Sequence, residues 1–347
     1  MYNRNPIVSV MIITYNHEKY IAQAIESALM QKTNFDYEIV IGEDCSTDKT
    51  RDIVIEYAKK YPEKIKPILN EENLGAIANL VKTLKHCKGK YVALLEGDDY
   101  RTDPYKLQKQ VDFLESNPDY GLVHSDCDFY FQNASKLIKN INKINRYKIC
   151  KGYIFEDLLI GNRIKTLTVC FRKELLFKNN FIDELRIKNW AMGDYPLWLE
   201  ISRYSKIHYI DESTAVHIIH NSSVTAFRNI RDEFAFYLSL FSVKKYFIEK
   251  HGCLNETKKA IFAKHYNSLI NFGWKLKNIH IAIEGIEYFK KEGYISPKNI
   301  LLFYGSKYEH LNLLIRIIAL FRNFWKQYFK FSLKPVFHIT WFVKDRS

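Results

Sequence analysis

The chain has 347 residues, 47% hydrophobic and 26% charged, which excludes a disordered or fibrous polypeptide and leaves room for roughly two folded domains. The net charge of +13 is unevenly spread: residues 1–228 hold 32 Lys/Arg against 30 Asp/Glu, whereas residues 229–347 hold 20 against 9. The last third is therefore expected to be a separate basic region, of a kind that suits an anionic membrane surface, an acidic polymer or nucleic acid. The six cysteines are scattered with no C-x-x-C pair, which fits reduced thiols in a cytosolic protein. Residues 7–13 are too short an apolar run to read as a secretory signal.

Strand and helix signals alternate through the first hundred residues. Residues 7–14 read as an apolar strand ending at Thr14-Tyr15-Asn16, and Ile21, Ala24, Ile25, Ala28 and Leu29 then mark one buried helix face. A second strand over 37–42 runs into Glu43-Asp44-Cys45-Ser46, and the next helix buries Val54, Tyr57, Ala58 and Tyr61. A third strand over 65–69 precedes Asn73-Leu74-Gly75, which opens a helix with Ile77, Leu80, Val81 and Leu84 inward. The fourth strand, residues 91–95, leads into Glu96-Gly97-Asp98-Asp99. Repeated strand–helix units imply parallel strands with right-handed crossovers, and such sheets bind ligands at the carboxyl ends of their strands. Thr14, Asp44 and Asp98 all fall there. Further on, residues 106–114 and 197–204 read as helices, 121–124 and 165–171 as strands, and 205–210 as an edge strand. After residue 229 helical periodicity takes over.

Three carboxylates within four residues repel one another unless solvent, a cation or a cationic ligand neutralises them. The segment alone reads as a solvated acidic turn or as a site of hard oxygen ligands for Mg²⁺ or Mn²⁺ holding a phosphate. No G-x-G-x-x-G or G-x-x-x-x-G-K follows the first strand, which disfavours a dinucleotide-binding dehydrogenase and a P-loop enzyme. A nucleotidyltransferase would need a basic, glycine-containing loop at Thr14-Tyr15-Asn16-His17-Glu18, and that segment supplies none.

The segments Val8-Ser9-Val10-Met11-Ile12-Ile13-Thr14-Tyr15-Asn16, Gly42-Glu43-Asp44-Cys45-Ser46-Thr47-Asp48-Lys49-Thr50, Asn73-Leu74-Gly75 and Glu96-Gly97-Asp98-Asp99 resemble, in order and spacing, the family 2 glycosyltransferases of the GT-A fold. The resemblance implies an α/β fold, a Rossmann-like mixed sheet flanked by helices, over residues 1–228. A mainly helical region, 229–347, follows. It implies that Thr14, Tyr15, Asn16, Glu43, Asp44, Asn73, Gly75, Glu96 and Asp98 hold the nucleotide sugar, with Asp44 on uracil if the donor is a UDP-sugar. It also implies a divalent metal, Mn²⁺ or Mg²⁺, held by Asp98, Asp99 and His220. The acidic motif begins with Glu96 where relatives carry Asp, and Arg101 stands where a Trp often follows it. His217-Ile218 replaces the Tyr-Arg that often precedes the histidine of the later element.

The family places a general base ahead of an apolar helix, and Gly193-Asp194-Tyr195-Pro196-Leu197-Trp198-Leu199 matches that pattern, so Asp194 is the expected base. The same residue also suits a helix cap, as Asp44 does and as His220 suits a purely structural role. Asn162, Thr168 and Arg172 are candidates for the border of the acceptor cleft. The region 311–331 contains Arg316, Arg322, Lys326 and Lys330 and so is no membrane span. On a helical wheel, Asn312, Arg316, Arg322, Asn323, Lys326, Gln327 and Lys330 share an arc of about 140°, opposite Leu, Ile, Phe and Trp325. That pattern suits a helix lying in a membrane interface or one docked with a solvated basic edge. The expectation is a metal-dependent inverting glycosyltransferase, cytoplasmic or peripheral on the plasma membrane. It would move a sugar to a glycan or lipid-linked acceptor and bind no nucleic acid. A catalytically silent nucleotide-sugar-binding protein is the rival from another class.

Overall fold

The computed structural model describes residues 5–144, 151–188, 190–220, 227 and 229–328. Its contacts divide the chain into two compact units, residues 1–226 with 238–253, and residues 227–237 with 254–347.

The first unit opens with β1 (Val8–Thr14), α1 (Ile21–Leu29), β2 (Tyr37–Glu43), α2 (Thr50–Lys60), β3 (Ile65–Leu69), α3 (Ala76–His86) and β4 (Tyr91–Glu96). Strands β3, β2, β1 and β4 lie side by side and parallel, with Ile13 beside Gly42 and Glu96. This register brings the ends of β1, β2 and β4 to one edge, as the alternating pattern requires. The strands are buried on both faces, so they read as near-continuous apolar runs. Val10, Ile12, Ile39, Ile41, Ala93 and Leu95 pack there against Ile21, Ile25 and Val54 of α1 and α2.

The remainder of this unit is β5 (Tyr100–Arg101), α4 (Lys106–Ser116), β6 (Tyr120–Phe131), β7 (Lys136–Ile138), α5 (Ile141–Ile144), α6 (Phe155–Ile160), β8 (Cys170–Arg172), α7 (Glu174–Phe177), α8 (Phe181–Lys188), α9 (Asp194–Tyr204) and β9 (Lys206–Ile219). The nine-stranded sheet runs β3-β2-β1-β4-β8-β6-β9-β5, with β7 on β6. Strand β8 is antiparallel to both β4 and β6, so the sheet is mixed. The strand expected over 165–171 is a 3₁₀ turn, Thr166–Thr168, followed by the three residues of β8. The expected edge strand at 205–210 is the start of β9, which pairs there with β6, its other side meeting, among the described residues, only an isolated bridge from Gly152, and which reaches β5 at Ala215 and Val216. Its exposed, charged middle at Asp211-Glu212 interrupts the apolar pattern at a shift in register against β6, which is why only its first half is visible as a strand in the sequence.

Helix α10 (Ile230–His251) divides between the units at residue 238. Its second half belongs with the first unit, where Val243 and Phe247 are buried and Phe247 meets Phe181, ring centroids 5.9 Å apart. The first 228 residues are thus not the whole of that unit.

The second unit contains α11 (Asn255–Lys275), α12 (Ile279–Lys291), α13 (Pro297–Lys307) and α14 (Glu309–Tyr328). Ser296 and Asn278 cap α13 and α12 through their side chains, and Pro297 occupies the first turn of α13. The core is Ile270, Trp274, Ile286, Leu302 and Ile315. At Gly285 a Cβ would lie 2.5 Å from the Tyr266 carbonyl oxygen, so only glycine lets α12 approach α11 this closely.

Helix α14 follows neither expected pattern cleanly: Ile315 is in the core and Arg316 is exposed, but polar and apolar residues occur on both sides. Asn312, a member of the polar arc, is buried and donates through Nδ2 to the carbonyls of Trp274 and Gly305, both at 3.0 Å. Leu313, Leu314, Ile317 and Ile318 are exposed. The side chains of Arg322, Asn323, Lys326 and Gln327, and the whole of Lys330, lie outside the described residues. Among the described residues no helix is long and apolar enough to cross a membrane.

Candidate functional site

The loops after β1 and β2 form one wall and hold each other in place. Asn16 and Cys45 take positive φ, 55° and 58°, where the two strands turn toward their helices. Asn16 donates its amide to Ser46 Oγ at 2.9 Å and accepts from Thr47 N through Oδ1 at 2.8 Å. His17 N donates to Thr50 Oγ1 at 2.8 Å, Glu18 N to Asp48 Oδ2 at 3.1 Å, and Lys49 N to Glu18 Oε2 at 3.1 Å. The polar run at 46–50 therefore satisfies backbone donors that leave the sheet ladder at both strand ends. Tyr15, between these anchors, is 42% exposed.

Glu43 and Asp44 are both buried, and neighbours engage both carboxylates. Glu43 accepts from Ser46 N at 2.7 Å and from Arg51 Nε at 2.5 Å. Asp44 Oδ1 accepts from Asn70 Nδ2 at 2.8 Å and Leu74 N at 2.9 Å, and Oδ2 accepts from Gly75 N at 2.9 Å. Asn73 Nδ2 donates to the Asp44 carbonyl at 3.1 Å, and Gly75 adopts φ 83°, which suits a residue without Cβ. Asp44 thus fixes the loop that opens α3. A carboxylate offers about four lone-pair positions, so these three bonds leave one for a ligand donor.

At the end of β4, Gly97 lies under Thr14 and His17. A Cβ there would stand 2.6 Å from Thr14 Oγ1 and 2.9 Å from His17 Nδ1. Glycine between the acids is what lets the β1 loop close over them. Asp98 Oδ2 lies 3.0 Å from His220 Nε2 and 3.8 Å from His17 Nε2. Tyr20 stacks on the His220 ring, with centroids 5.0 Å and planes 16° apart, and its hydroxyl donates to Gln132 Oε1 at 2.5 Å. Asp99 has a different environment. It accepts from Ile218 N at 2.8 Å, and both of its oxygens lie 3.0 Å from His217 Nδ1. His217, which stands in the altered dipeptide of the later element, is therefore the partner of Asp99.

The electrostatics follow this arrangement. Burial disfavours the charged form of Asp98, but His220 and the other two histidines outweigh it and hold the pKa below the usual carboxylate value. Burial also opposes an imidazolium at His217, and there Asp99 prevails and raises the pKa. For His17 burial wins, and the pKa is lowered. Burial, then the charges of Asp99, Asp98 and Asp194, push Glu96 well above its ordinary value. Its Oε2 is sealed from solvent without a hydrogen-bond partner.

Asp194 is the first residue of α9, whose N-cap is Gly193, so it is not the helix cap that its sequence position also suited. Its carboxylate instead accepts from Thr166 Oγ1 through Oδ2 at 2.9 Å. Of the three residues expected near the acceptor, Asn162 closes a local turn by accepting from Ile164 N at 3.1 Å. Thr168 is buried and donates to the Lys165 carbonyl at 2.7 Å. Arg172 binds the Tyr120 carbonyl at 2.9 Å and Tyr91 Oη at 3.1 Å, at the start of β4 rather than at its acidic end. His17, Tyr20, Thr166 and His217 sit among the site residues without having been singled out by motif. Only the histidines carried a sequence signal, as imidazoles flanking the matched segments.

Among the described residues no group of three or more His, Cys, Asp or Glu forms a ready-made metal centre. The donors present nevertheless suit a nucleotide-associated Mg²⁺ or Mn²⁺, which takes one or two protein ligands and completes its shell with phosphate and water. Asp98 Oδ2 and His220 Nε2, which meet each other directly at 3.0 Å, are the carboxylate and imidazole that would hold such an ion.

A mixed sheet with its acids gathered at the end of β4 is the arrangement expected of the GT-A fold. The sequence profile of Glycosyl transferase family 2 matches residues 9–175. TuaG of Bacillus subtilis, named for teichuronic acid biosynthesis, is 30% identical over 229 residues, covering 65% of this chain and 84% of TuaG. The chain belongs to glycosyltransferase family 2. An uncharacterized Mycobacterium tuberculosis protein is 35% identical over 167 residues, 48% of this chain, which spans about half (47%) of that relative's length. Among solved structures, Staphylococcus aureus TarS residues 1–349 with UDP-GlcNAc superposes with a TM-score of 0.56 at 18% identity, covering 86% of this chain and 79% of that TarS fragment. The mannosyltransferase PcManGT of Pyrobaculum calidifontis, with GDP-Man and Mn²⁺, gives 0.55 at 18% identity, covering 94% and 89%.

Proposed function

We propose that this glycosyltransferase moves a sugar from a nucleotide-diphosphate donor, a UDP-sugar, to a hydroxyl of a lipid-linked or surface-polysaccharide precursor, with inversion at the anomeric carbon. The observation that carries this reading is the convergence of Glu96, Asp98, Asp99 and Asp194, whose charges act on one another, with one oxygen of Asp194 held by Thr166. The nucleotide sugars named with TarS and PcManGT support the donor class.

Asp98 and His220 would hold Mn²⁺ or Mg²⁺, which neutralises charge developing on the departing diphosphate. Thr14, Tyr15 and Asn16 line the nucleoside side, Asp44 offers its remaining lone pair to a base N–H, and Glu43, Asn73 and Gly75 keep that wall in place. The acceptor oxygen attacks the anomeric carbon and its proton passes to Asp194 Oδ1. The bond from that carbon to the phosphate oxygen breaks, and the electron pair leaves with the nucleoside diphosphate. Asp99, tied to His217 and Ile218, fastens the turn between β4 and β5 to the end of β9. A positioned base contributes about 10²–10⁴-fold. Asp194→Asn is therefore expected to bind UDP with Mn²⁺ as the wild type does while sugar transfer, or hydrolysis of the donor, falls at least about a hundredfold. An unchanged rate removes Asp194 as base.

Residues 229–347 form, in this proposal, a basic region that meets an anionic membrane at its cytoplasmic face. Its charge and the exposed Leu313, Leu314, Ile317 and Ile318 support that placement.

A further inference from the structure

We infer that Thr166 is a positioning residue for the reaction, holding one oxygen of Asp194 so that the other is presented to the acceptor hydroxyl; this rests on the reading of Asp194 as the base. Thr166 begins the 3₁₀ turn Thr166–Thr168 that leads into β8, and Asp194 begins α9, 28 residues later in the chain. Their contact, Oγ1 to Oδ2 at 2.9 Å, is the hydrogen bond that joins these two elements at the site.

The capping position of α9 is Gly193, which has no side chain, and Asp194 is the first helical residue, so its carboxylate is not the group that closes the helix end. The Thr166 hydroxyl supplies its partner, and a hydroxyl has one proton to give, so it leaves Oδ1 without this donor. Thr166 is β-branched with few χ1 choices, which makes its hydroxyl a fixed reference point rather than a mobile contact. The same side chain lies beside Glu96. Thr166 thus neighbours both the first acid of the metal motif and the base, and because its one proton goes to Asp194 its hydroxyl can only accept from Glu96.

Thr168, two positions on, cannot substitute: it is buried and its hydroxyl is spent on the Lys165 carbonyl. Thr166→Val keeps the branched shape and removes the donor. Thr166→Ser keeps the donor and removes a methyl group.

The test uses the full chain with Mn²⁺ and a panel of common UDP-sugars, water serving as acceptor, and compares wild type, T166V, T166S and D194N. Three quantities are read: kcat for donor hydrolysis, the dissociation constant for UDP, and the melting temperature. A lost hydrogen bond to a charged group predicts that T166V lowers kcat by about tenfold or more. Its UDP affinity and melting temperature should match wild type, and T166S should recover most of the rate. T166V hydrolysing at the wild-type rate while D194N is inactive overturns the role of Thr166 and leaves the base in place. T166V losing UDP affinity or stability in step with its rate, or T166S failing to recover, makes Thr166 merely structural and overturns it also. D194N as fast as wild type, or a wild type inert toward the whole panel, removes the base reading and this inference with it.

Discussion

Gly97→Ala tests whether the acidic motif is closed over by the β1 loop. The added Cβ would lie 2.6 Å from Thr14 Oγ1, 2.8 Å from Thr14 Cβ and 2.9 Å from His17 Nδ1. Carbon atoms pack at about 3.5–4.0 Å, so either Thr14 or the motif must yield by roughly half an ångström or more. The hydroxyl and the imidazole can rotate away, but Thr14 Cβ belongs to β1, which pairs with β2 and β4. Overpacking of this kind costs about 1–3 kcal/mol. The substitution is thus expected to lower the urea midpoint accordingly and, by moving Asp98 away from His17 and His220, to weaken Mn²⁺-dependent UDP binding. Urea denaturation and titration calorimetry on the purified chain measure both. A variant with wild-type stability and UDP affinity would refute the argument that the position must be glycine for the loop to close.

Three further outcomes are expected. Burial pushes the Glu200 carboxyl from 4.5 to about 7, both its oxygens lack hydrogen bonds, and His251 Nε2 stands 3.5 Å away. The unfolded chain ionises this group first, so stability present below about pH 4.5 is lost as pH rises to about 7, by roughly 3 kcal/mol at most. Glu200→Gln should therefore narrow the stability difference between pH 5 and pH 8 seen by urea denaturation in the wild type; parallel curves would contradict this. Asp44→Asn leaves the Gly75 amide facing an amide nitrogen or unpaired, at a cost of about 1–3 kcal/mol. Its denaturation midpoint should fall even without nucleotide, and a change seen only in UDP affinity would give Asp44 a purely ligand-binding role. Leu314→Asp with Ile318→Asp should reduce co-sedimentation of the full chain with phosphatidylglycerol vesicles, and equal partitioning would exclude this face as the membrane contact.

The parallel half of the sheet was legible because β1, β2 and β4 are buried on both faces and read as near-continuous apolar runs. The convergence of Thr14, Asp44 and Asp98 followed from that topology alone. What escaped was whatever depends on non-local pairing. Residues 165–171 are apolar enough for a strand, yet the Thr166 hydroxyl is held by Asp194 and the Thr168 hydroxyl by Lys165, which favours a 3₁₀ turn. The pattern of α14 could not be read because Asn312 answers two backbone carbonyls from elements distant in sequence. The same blindness hid Thr166. A threonine inside an apolar run carries no local sign that its hydroxyl meets an aspartate on another element.

The central claim is that Asp98 and His220 bring a divalent metal to a nucleotide diphosphate. Calorimetric titration of UDP into the wild type and into Asp98→Asn, with Mn²⁺ and then with excess chelator, tests it most directly. The account predicts binding by the wild type that chelator abolishes, and little binding by Asp98→Asn under either condition. UDP binding that is indifferent to chelator and to the substitution would contradict it.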